Sequence, residues 1–322
     1  ANKSRAPALR YRLLAAATIV LLVILAISWF RLPQQAAPQM DGIRSIAVLP
    51  LSNLTGDPGQ TYYADGLQEI LISELSQVQG LRVTSRQSTK RYRDSELTAT
   101  EIADELGVDF LVEGSLLQLG REVEVSIQLI HGRSDEHLWA ERSVRETPYV
   151  LELIADVAKT ISLEVEPEPM PSGTEGYSAH RVGPVDPRAI EAYSLGLTHL
   201  DRFTPDGIRF AIDQFETTIT IDPDFALAWG HLAAAYAMES LYGYAPPRES
   251  IEKARVAALR AIESDDQFYI GHSTLGWVQL WTGDFDGACK SFEEALRLNP
   301  SAPYALHGDA DCLMLDGRME ES

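Results

Sequence analysis

The chain has 322 residues, of which 45% are hydrophobic and 23% charged, and these proportions are ordinary for folded globular domains. Residues 1–40 carry five basic and no acidic side chains, so residues 41–322 carry 22 basic and 47 acidic ones, a net charge of −25. This excess repels phosphate backbones, and we therefore expect no nucleic acid to bind this part. Only Cys289 and Cys312 occur, which excludes a disulfide framework but leaves open whether the two pair.

Residues 13–30 contain no charged side chain and consist almost wholly of Leu, Ile, Val and Ala. A run of about eighteen apolar residues is just long enough to cross a bilayer as a helix. Basic residues are concentrated in the stub before it, at 1–12, so the chain is expected to keep its N-terminus in the cytoplasm and most of its length outside. A cleaved signal peptide and a buried core helix are the alternatives. The predicted membrane-interface residues are Arg10, Tyr11, Arg12 and Trp29.

After a spacer at 31–42, residues 43–166 predict an α/β domain with a mixed sheet. The apolar run at 46–49 predicts a buried strand. Apolar residues at helical spacing from Leu67 to Val78 then predict an amphipathic helix. A second short strand at 81–85 follows this helix, so the two strands should be parallel neighbours joined by a right-handed crossover.

The second half of this domain predicts a helix at 98–107 and an antiparallel meander. One strand spans 110–118, the next alternates apolar and polar residues at 122–129, and a third spans 136–145. Apolar residues from Val150 to Val165 then lie on one helical stripe. The parallel pair is thus extended by antiparallel strands.

Several blocks of this domain resemble the TolB amino-terminal-like domain of bacterial membrane-anchored signalling proteins. The blocks are SIAVLPLSNLTGDP at 45–58, YADGL at 63–67, GLRV at 80–83, LGV at 106–108, VEGS at 112–115 and HLWAER at 137–142. The resemblance implies the fold but supplies no catalytic residues.

A segment rich in proline and glycine at 167–187 predicts a linker, and residues 188–322 repeat a helical pattern. Its spacing is that of tetratricopeptide repeats, in which small residues let two antiparallel helices approach and proline ends the second. The chain therefore predicts an all-α solenoid whose last repeat is incomplete. The residues that define the repeats are Gly196, Ala211, Phe215, Pro223, Trp229, Tyr236, Gly276, Ala288, Phe292 and Pro300.

The first helix of each repeat is expected to line a groove for a protein or peptide partner. By register, the residues facing this groove or the seam beside it are Ile190, Tyr193, Leu197, Leu200, Leu227, Ile270, Trp277 and Leu280. Packing between repeats is the alternative role for these side chains. Trp277 is the best candidate for an anchor, since tryptophan is enriched among residues that dominate binding.

No catalytic motif, metal-ligand pattern or cofactor motif is found in the sequence, so this segment is not expected to be an enzyme, to bind a metal or to need a cofactor. The chain begins with Ala1 and stops in mid-pattern at Ser322, and is interpreted as a piece of a longer protein. Its order of span, TolB-like domain and repeats resembles transmembrane regulators of the CadC type. That resemblance implies a bacterial inner-membrane protein with a cytoplasmic winged-helix DNA-binding domain, a periplasmic sensory part and signalling by homodimerisation.

Two other classes remain open for the whole protein. Related layouts follow a nucleotide cyclase or a Ser/Thr kinase domain, in which case this segment would be the regulatory half of an enzyme. A plain envelope scaffold without an output domain is the third reading.

Overall fold

A computed structural model of the chain describes residues 44–78, 80–165 and 184–315. The predicted span at 13–30 lies outside these residues, as do its predicted interface residues Arg10, Tyr11, Arg12 and Trp29. Within the described ranges, no helix is both long and apolar enough to cross a membrane. The described residues belong to one compact unit.

The first part of this unit is the α/β domain. Its strands are β1 (Arg44–Val48), β2 (Ser52–Asn53), β3 (Leu81–Val83), β4 (Phe110–Leu119), β5 (Glu122–His131) and β6 (Glu136–Glu146). Its α-helices are α1 (Thr61–Ser76), α2 (Arg86–Thr89), α3 (Ala99–Leu106) and α4 (Val150–Val165). Three single 3₁₀ turns at Pro58–Gln60, Lys90–Tyr92 and Thr147–Tyr149 link these elements.

The strands form one mixed sheet in the order β3-β1-β4-β5-β6, with the short β2 pairing alongside β4. β1 runs parallel to both β3 and β4, whereas β4, β5 and β6 form the antiparallel meander. The mixed sheet and the parallel pair β1–β3 confirm the fold predicted from the sequence. The parallel pairing of β2 with β4 was not predicted.

Each face of the sheet has its own core. On one face α1 and α4 cover side chains such as Ile46, Val112 and Ile127, and this core continues into the repeats. On the other face α3 covers a smaller cluster around Leu49 and Leu111. Helix α3 begins with a capping box formed by the Thr98 and Glu101 side chains, and ends at Gly107 in the left-handed conformation.

The second part of the unit is a stack of antiparallel helix pairs. Its helices are α5 (Pro187–Leu200), α6 (Pro205–Ile221), α7 (Ala226–Leu241), α8 (Pro247–Ser264), α9 (Tyr269–Thr282), α10 (Phe285–Leu298) and α11 (Pro303–Leu315). The pairs α5–α6, α7–α8 and α9–α10 are three repeats, and α11 is the first helix of a fourth. This confirms the predicted tetratricopeptide solenoid. Pro205 and Pro247 each open the second helix of a pair.

Small residues hold the paired helices close together, as the repeat spacing requires. A Cβ atom added to Gly196 would lie 2.5 Å from the Phe215 ring, and one added to Gly276 would lie 2.7 Å from the Phe292 ring. Both phenylalanines are fully buried. Each ring therefore occupies the space that a side chain at the glycine would need.

Cys289 on α10 and Cys312 on α11 form a disulfide, which settles the pairing left open by the sequence. Their Cα atoms are 5.7 Å apart. The bridge ties α11 to the third repeat by a covalent bond.

Candidate protein interaction surface

Helix α1 of the α/β domain lies against the first helices of the repeats, on the surface predicted to hold a partner. Its residues from Tyr63 to Ser76 are all buried, including polar ones. One face carries the apolar residues predicted from the sequence and packs on the sheet. The opposite face has a stripe with a spacing of four and three residues, which keeps its members on one side of a helix. The members of this stripe are Tyr62, Gly66, Glu69, Ser73 and Ser76.

Contacts along the stripe reach several repeats. The Tyr62 hydroxyl donates a hydrogen bond to Glu191 on α5 over 3.1 Å. The Asn299 side chain, after α10, donates to the Ser76 hydroxyl over 3.4 Å. Burial, with a contribution from Glu191, raises the pKa of Tyr62 to about 12. Helix α1 thus extends along the stack of repeats, from the first repeat to the end of the third.

The closest approach is at Gly66. A Cβ atom at this position would lie 1.8 Å from the Ser194 hydroxyl and 3.2 Å from the Ser194 Cα, on α5. Ser194 is itself fully buried and donates to the Ile190 carbonyl. Only glycine permits α1 and α5 to pack at this distance.

A buried cluster of charges lies at the centre of this interface. The Arg86 guanidinium, on α2, donates to Glu69 on α1 over 2.9 Å and lies 3.0 Å from Asp201, which follows α5. Lys90 contacts the same Asp201 oxygen at 2.9 Å. Burial alone would lower the pKa of Arg86, but the carboxylates of Glu69 and Asp201 raise it above its ordinary value. Arg86 therefore stays charged and binds both parts of the molecule at once.

His231 on α7 completes the cluster. Its Nδ1 atom lies 2.9 Å from the Leu227 carbonyl oxygen, and its Nε2 atom lies 3.8 Å from Glu69. Burial lowers the pKa of His231, and the attraction of Glu69 opposes this effect. The Tyr193 hydroxyl is 3.3 Å from Nδ1. The Glu69 carboxylate on α1 thus lies beside the titratable imidazole of His231 in the second repeat.

This packing corrects part of the predicted groove. Four of the predicted residues are at most 6% exposed and belong to the shared core: Ile190, Tyr193, Leu197 and Leu200. They are not open to a partner in this structure; the Tyr193 ring, for example, packs on Phe215, Phe225 and His231 of the repeats. These four side chains pack in the core, which agrees with the alternative role, packing between repeats, given for them in the sequence analysis. The remaining four, Leu227, Ile270, Trp277 and Leu280, are partly exposed.

Trp277 also contacts the neighbouring repeat. Its indole Nε1 donates to the Tyr304 carbonyl over 3.1 Å, and its ring stacks on His307 with centroids 5.4 Å apart. The Phe292 ring packs against it edge-on. The side chain thus helps to dock α11, besides any role as a binding anchor.

We expect Trp277→Ala to lower the free energy of unfolding by about 3 kcal/mol, because it removes a large ring from the contact between α9 and α11. Urea denaturation of the purified chain measures this loss. Trp277→Phe keeps a ring but loses the indole donor and should cost less. Equal stability of Trp277→Ala and wild type would contradict the role of Trp277 in docking α11. Anchoring a partner would then be the one remaining role proposed for it.

The residues that define the repeats lie mainly at helix contacts. Ala211 and Ala288 are fully buried beside the phenylalanines of their own repeats. Pro223 and Pro300 lie exposed just beyond α6 and α10. Trp229 donates to the Pro223 carbonyl over 2.8 Å, and the Tyr236 hydroxyl donates to Glu216 over 2.5 Å.

Sequence reasoning missed Glu69, Arg86, Asp201 and His231. The sequence predicted α1 only as an amphipathic helix, and none of these four residues belongs to a predicted motif. The signal that could have found the interface is the second stripe on α1, since Gly66, Ser73 and Ser76 are small enough for another helix to approach closely. Arg86 carries no such signal, because it lies in a helix of four residues.

A second concave surface lies on the α/β domain, beyond the ends of β1 and β2 and over the polar face of β4, β5 and β6. This cleft has a volume of about 1040 Å³. Some of its polar groups have partners within the domain: Arg93 pairs with Asp65, Arg142 with Glu124, and Gln128 donates to Glu113. No cluster of three or more potential metal ligands occurs among the described residues.

Comparison with known protein families agrees with this architecture. Residues 42–158 match the family model for the second domain of HilA/YgeH-like transcriptional regulators. Residues 269–302 match the tetratricopeptide repeat model. The chain therefore contains a regulator-like domain followed by tetratricopeptide repeats, and its class is that of protein-interaction and signalling proteins.

A curated relative covers both parts. "Putative adenylate cyclase 3" of Rhizobium meliloti (strain 1021) is 31% identical over 255 residues, which is 78% of this chain and 43% of the relative. The chain thus spans less than half the length of the curated relative that it matches.

Solved structures similar to the chain include several repeat domains. A thermophilic tetratricopeptide protein of Thermus thermophilus has a TM-score of 0.36 at 20% identity, covering 54% of this chain and 79% of its own. The Sgt2 repeat domain of Aspergillus fumigatus has a TM-score of 0.35 at 20% identity, covering 43% and 85%.

Proposed function

We propose that this chain is the regulatory, non-catalytic half of a membrane-anchored bacterial signalling protein whose output domain precedes residue 1. The observation that carries the proposal is the seating of α1 on the repeats through the Glu69–Arg86–Asp201 cluster. A protein or peptide bound by either part must act on both, because the two share one buried interface. Self-association of the chain would then pass the signal to the output domain.

The output domain we favour is a winged-helix DNA-binding domain. The matched regulator model describes a second domain, which leaves room for a DNA-binding domain before it. The runner-up is an adenylate cyclase domain, which the relative of Rhizobium meliloti favours because its similarity extends over 255 residues. Either output makes the described residues the part that senses and binds.

The intact coding region distinguishes these outputs. Expressed in a host lacking its own adenylate cyclase, the intact protein would either occupy specific promoter DNA, as we expect, or form cyclic AMP. Occupancy without cyclic AMP supports the regulator, and cyclic AMP formation supports the runner-up. If the intact protein shows neither activity and its coding region has a start codon directly before Ala1, both proposed outputs are overturned. An envelope scaffold is then favoured.

We further propose an inner-membrane location, with one span at 13–30 and residues 31–322 in the periplasm. The disulfide between Cys289 and Cys312 supports this topology, since such bonds persist in oxidising compartments and are rare in the cytosol. A protease added to spheroplasts should digest the repeats of the membrane-bound protein. Full protection in intact spheroplasts, with digestion only after lysis, would overturn this topology.

A further inference from the structure

The last strand of the sheet presents a long free edge. β6 has eleven residues, pairs with β5 on one side, and has no strand partner on its other side among the residues that the structure describes. Nine of the eleven are exposed; only Trp139 and Ser143 are partly buried. A row of unpaired backbone donors and acceptors of this length is a template for another strand.

The charges along β6 favour one partner strand over others. Glu141, Ser143 and Arg145 are opposite Ile127, Val125 and Val123 of β5, so they lie on the same face of the sheet. Neither Glu141 nor Arg145 takes part in an ion pair within the described residues. In an antiparallel pair of β6 strands with Ser143 opposite itself, Glu141 of each copy is opposite Arg145 of the other.

The neighbouring registers are less favourable. Shifting the centre to Arg142 places two arginines opposite each other, and shifting it to Glu141 does the same with two carboxylates, which is destabilising. Centring the pair on Val144 places Arg142 of each copy opposite Glu146 of the other, but Arg142 already forms an ion pair with Glu124 at 2.7 Å. Of these registers, the one centred on Ser143 alone pairs Glu141 with Arg145; within the described residues Glu141 accepts a hydrogen bond from the Ser143 hydroxyl and Arg145 donates to the Val144 carbonyl, but neither forms an ion pair.

We propose that β6 pairs with β6 of a second copy, antiparallel and centred on Ser143, so that two sheets become one continuous sheet. The strand is complementary to its own reverse order, which is the property that a two-fold interface requires. The pairing gives the proposed self-association a defined surface. The signalling role of this pairing rests on the proposed function, whereas the pairing itself does not.

Charge exchange on the full chain in mild detergent tests the pairing. Sedimentation velocity should show a dimer for wild type and at least a tenfold weaker association for Glu141→Arg. In this variant the new arginine at position 141 of each copy lies opposite Arg145 of the other. The double variant Glu141→Arg/Arg145→Glu restores both pairs and should recover the dimer. Unchanged association in Glu141→Arg, or no recovery in the double variant, would overturn the register.

Cysteine crosslinking gives an independent readout. Ser143→Cys should form a covalent dimer on mild oxidation, because the two Ser143 positions are opposite each other. Ser134→Cys, in the exposed turn before β6, is about 30 Å from the two-fold axis at the spacing of an extended strand and should not crosslink. A monomeric wild type without a Ser143→Cys crosslink would overturn the interface. A dimer without effect on output would leave the interface standing and count against the proposed function only.

Discussion

Replacing Arg86 with alanine is expected to lower the free energy of unfolding by about 3–5 kcal/mol, among the largest effects of any single substitution in this chain. The change leaves the carboxylates of Glu69 and Asp201 buried without their common partner, and the cost of an uncompensated buried charge exceeds that of a lost hydrogen bond. Chemical denaturation of the purified chain measures the loss. Intrinsic tryptophan fluorescence has contributions from both parts, because Trp139 lies in the α/β domain and Trp229, Trp277 and Trp281 lie in the repeats; far-ultraviolet circular dichroism reports on the whole chain.

The matched control is Arg255→Ala. Arg255 also forms an ion pair, with Glu252 at 2.6 Å, but on the exposed surface of α8, and its loss should cost about 0.5 kcal/mol or less. Arg86→Lys keeps a positive charge and should fall between the two. Similar losses for Arg86→Ala and Arg255→Ala would show that the buried cluster does not hold the two parts together.

The second large effect is expected at Gly66. Gly66→Ala should destabilise the chain by about 1–3 kcal/mol, even though alanine favours a helix, because its methyl group would overlap the Ser194 hydroxyl of α5. The two helices must separate, and this loosens the contact of α1 with every repeat.

A double-mutant cycle isolates this effect. Ser194→Gly removes the overlapping side chain, so Gly66→Ala should cost much less in the Ser194→Gly background than in wild type. A coupling energy near zero between the two substitutions would place the cause elsewhere, since independent sites are additive. Urea denaturation of the four proteins of the cycle provides these values.

Patterns within one element were enough to predict most of the fold. Alternation from Val123 to Leu129 predicts a strand with one wet face, and the spacing from Gly276 to Pro300 predicts a helix pair. Both patterns depend on neighbours close in sequence, so they can be read from a single chain. The span, its direction and the location of the chain are read in the same way and remain predictions.

The candidate site was harder to predict because it depends on contacts between distant segments. The sequence predicted Tyr193 and Leu197 to face a groove or the seam beside it, and nothing within the repeats indicates that α1 packs against Ser194 on the same helix. Glu69 looks like an ordinary solvent-facing residue of an amphipathic helix until Arg86 and Asp201 come close to it. The disulfide was open for the same reason, since the proximity of α10 and α11 is a property of the stack.

The distance along the chain between α1 and its contacts determines when they can form. Ser76 and Asn299 are 223 residues apart, so at about 5–20 residues per second the ribosome needs roughly 10–45 s to synthesise the second after the first. During this interval the side of α1 that faces the repeats is covered only in steps, because Glu191 and Ser194 of α5 are synthesised before Asn299. The nascent α/β domain must therefore wait for the repeats, and a chain released before Asn299 would keep part of this surface exposed to chaperones and to other nascent chains.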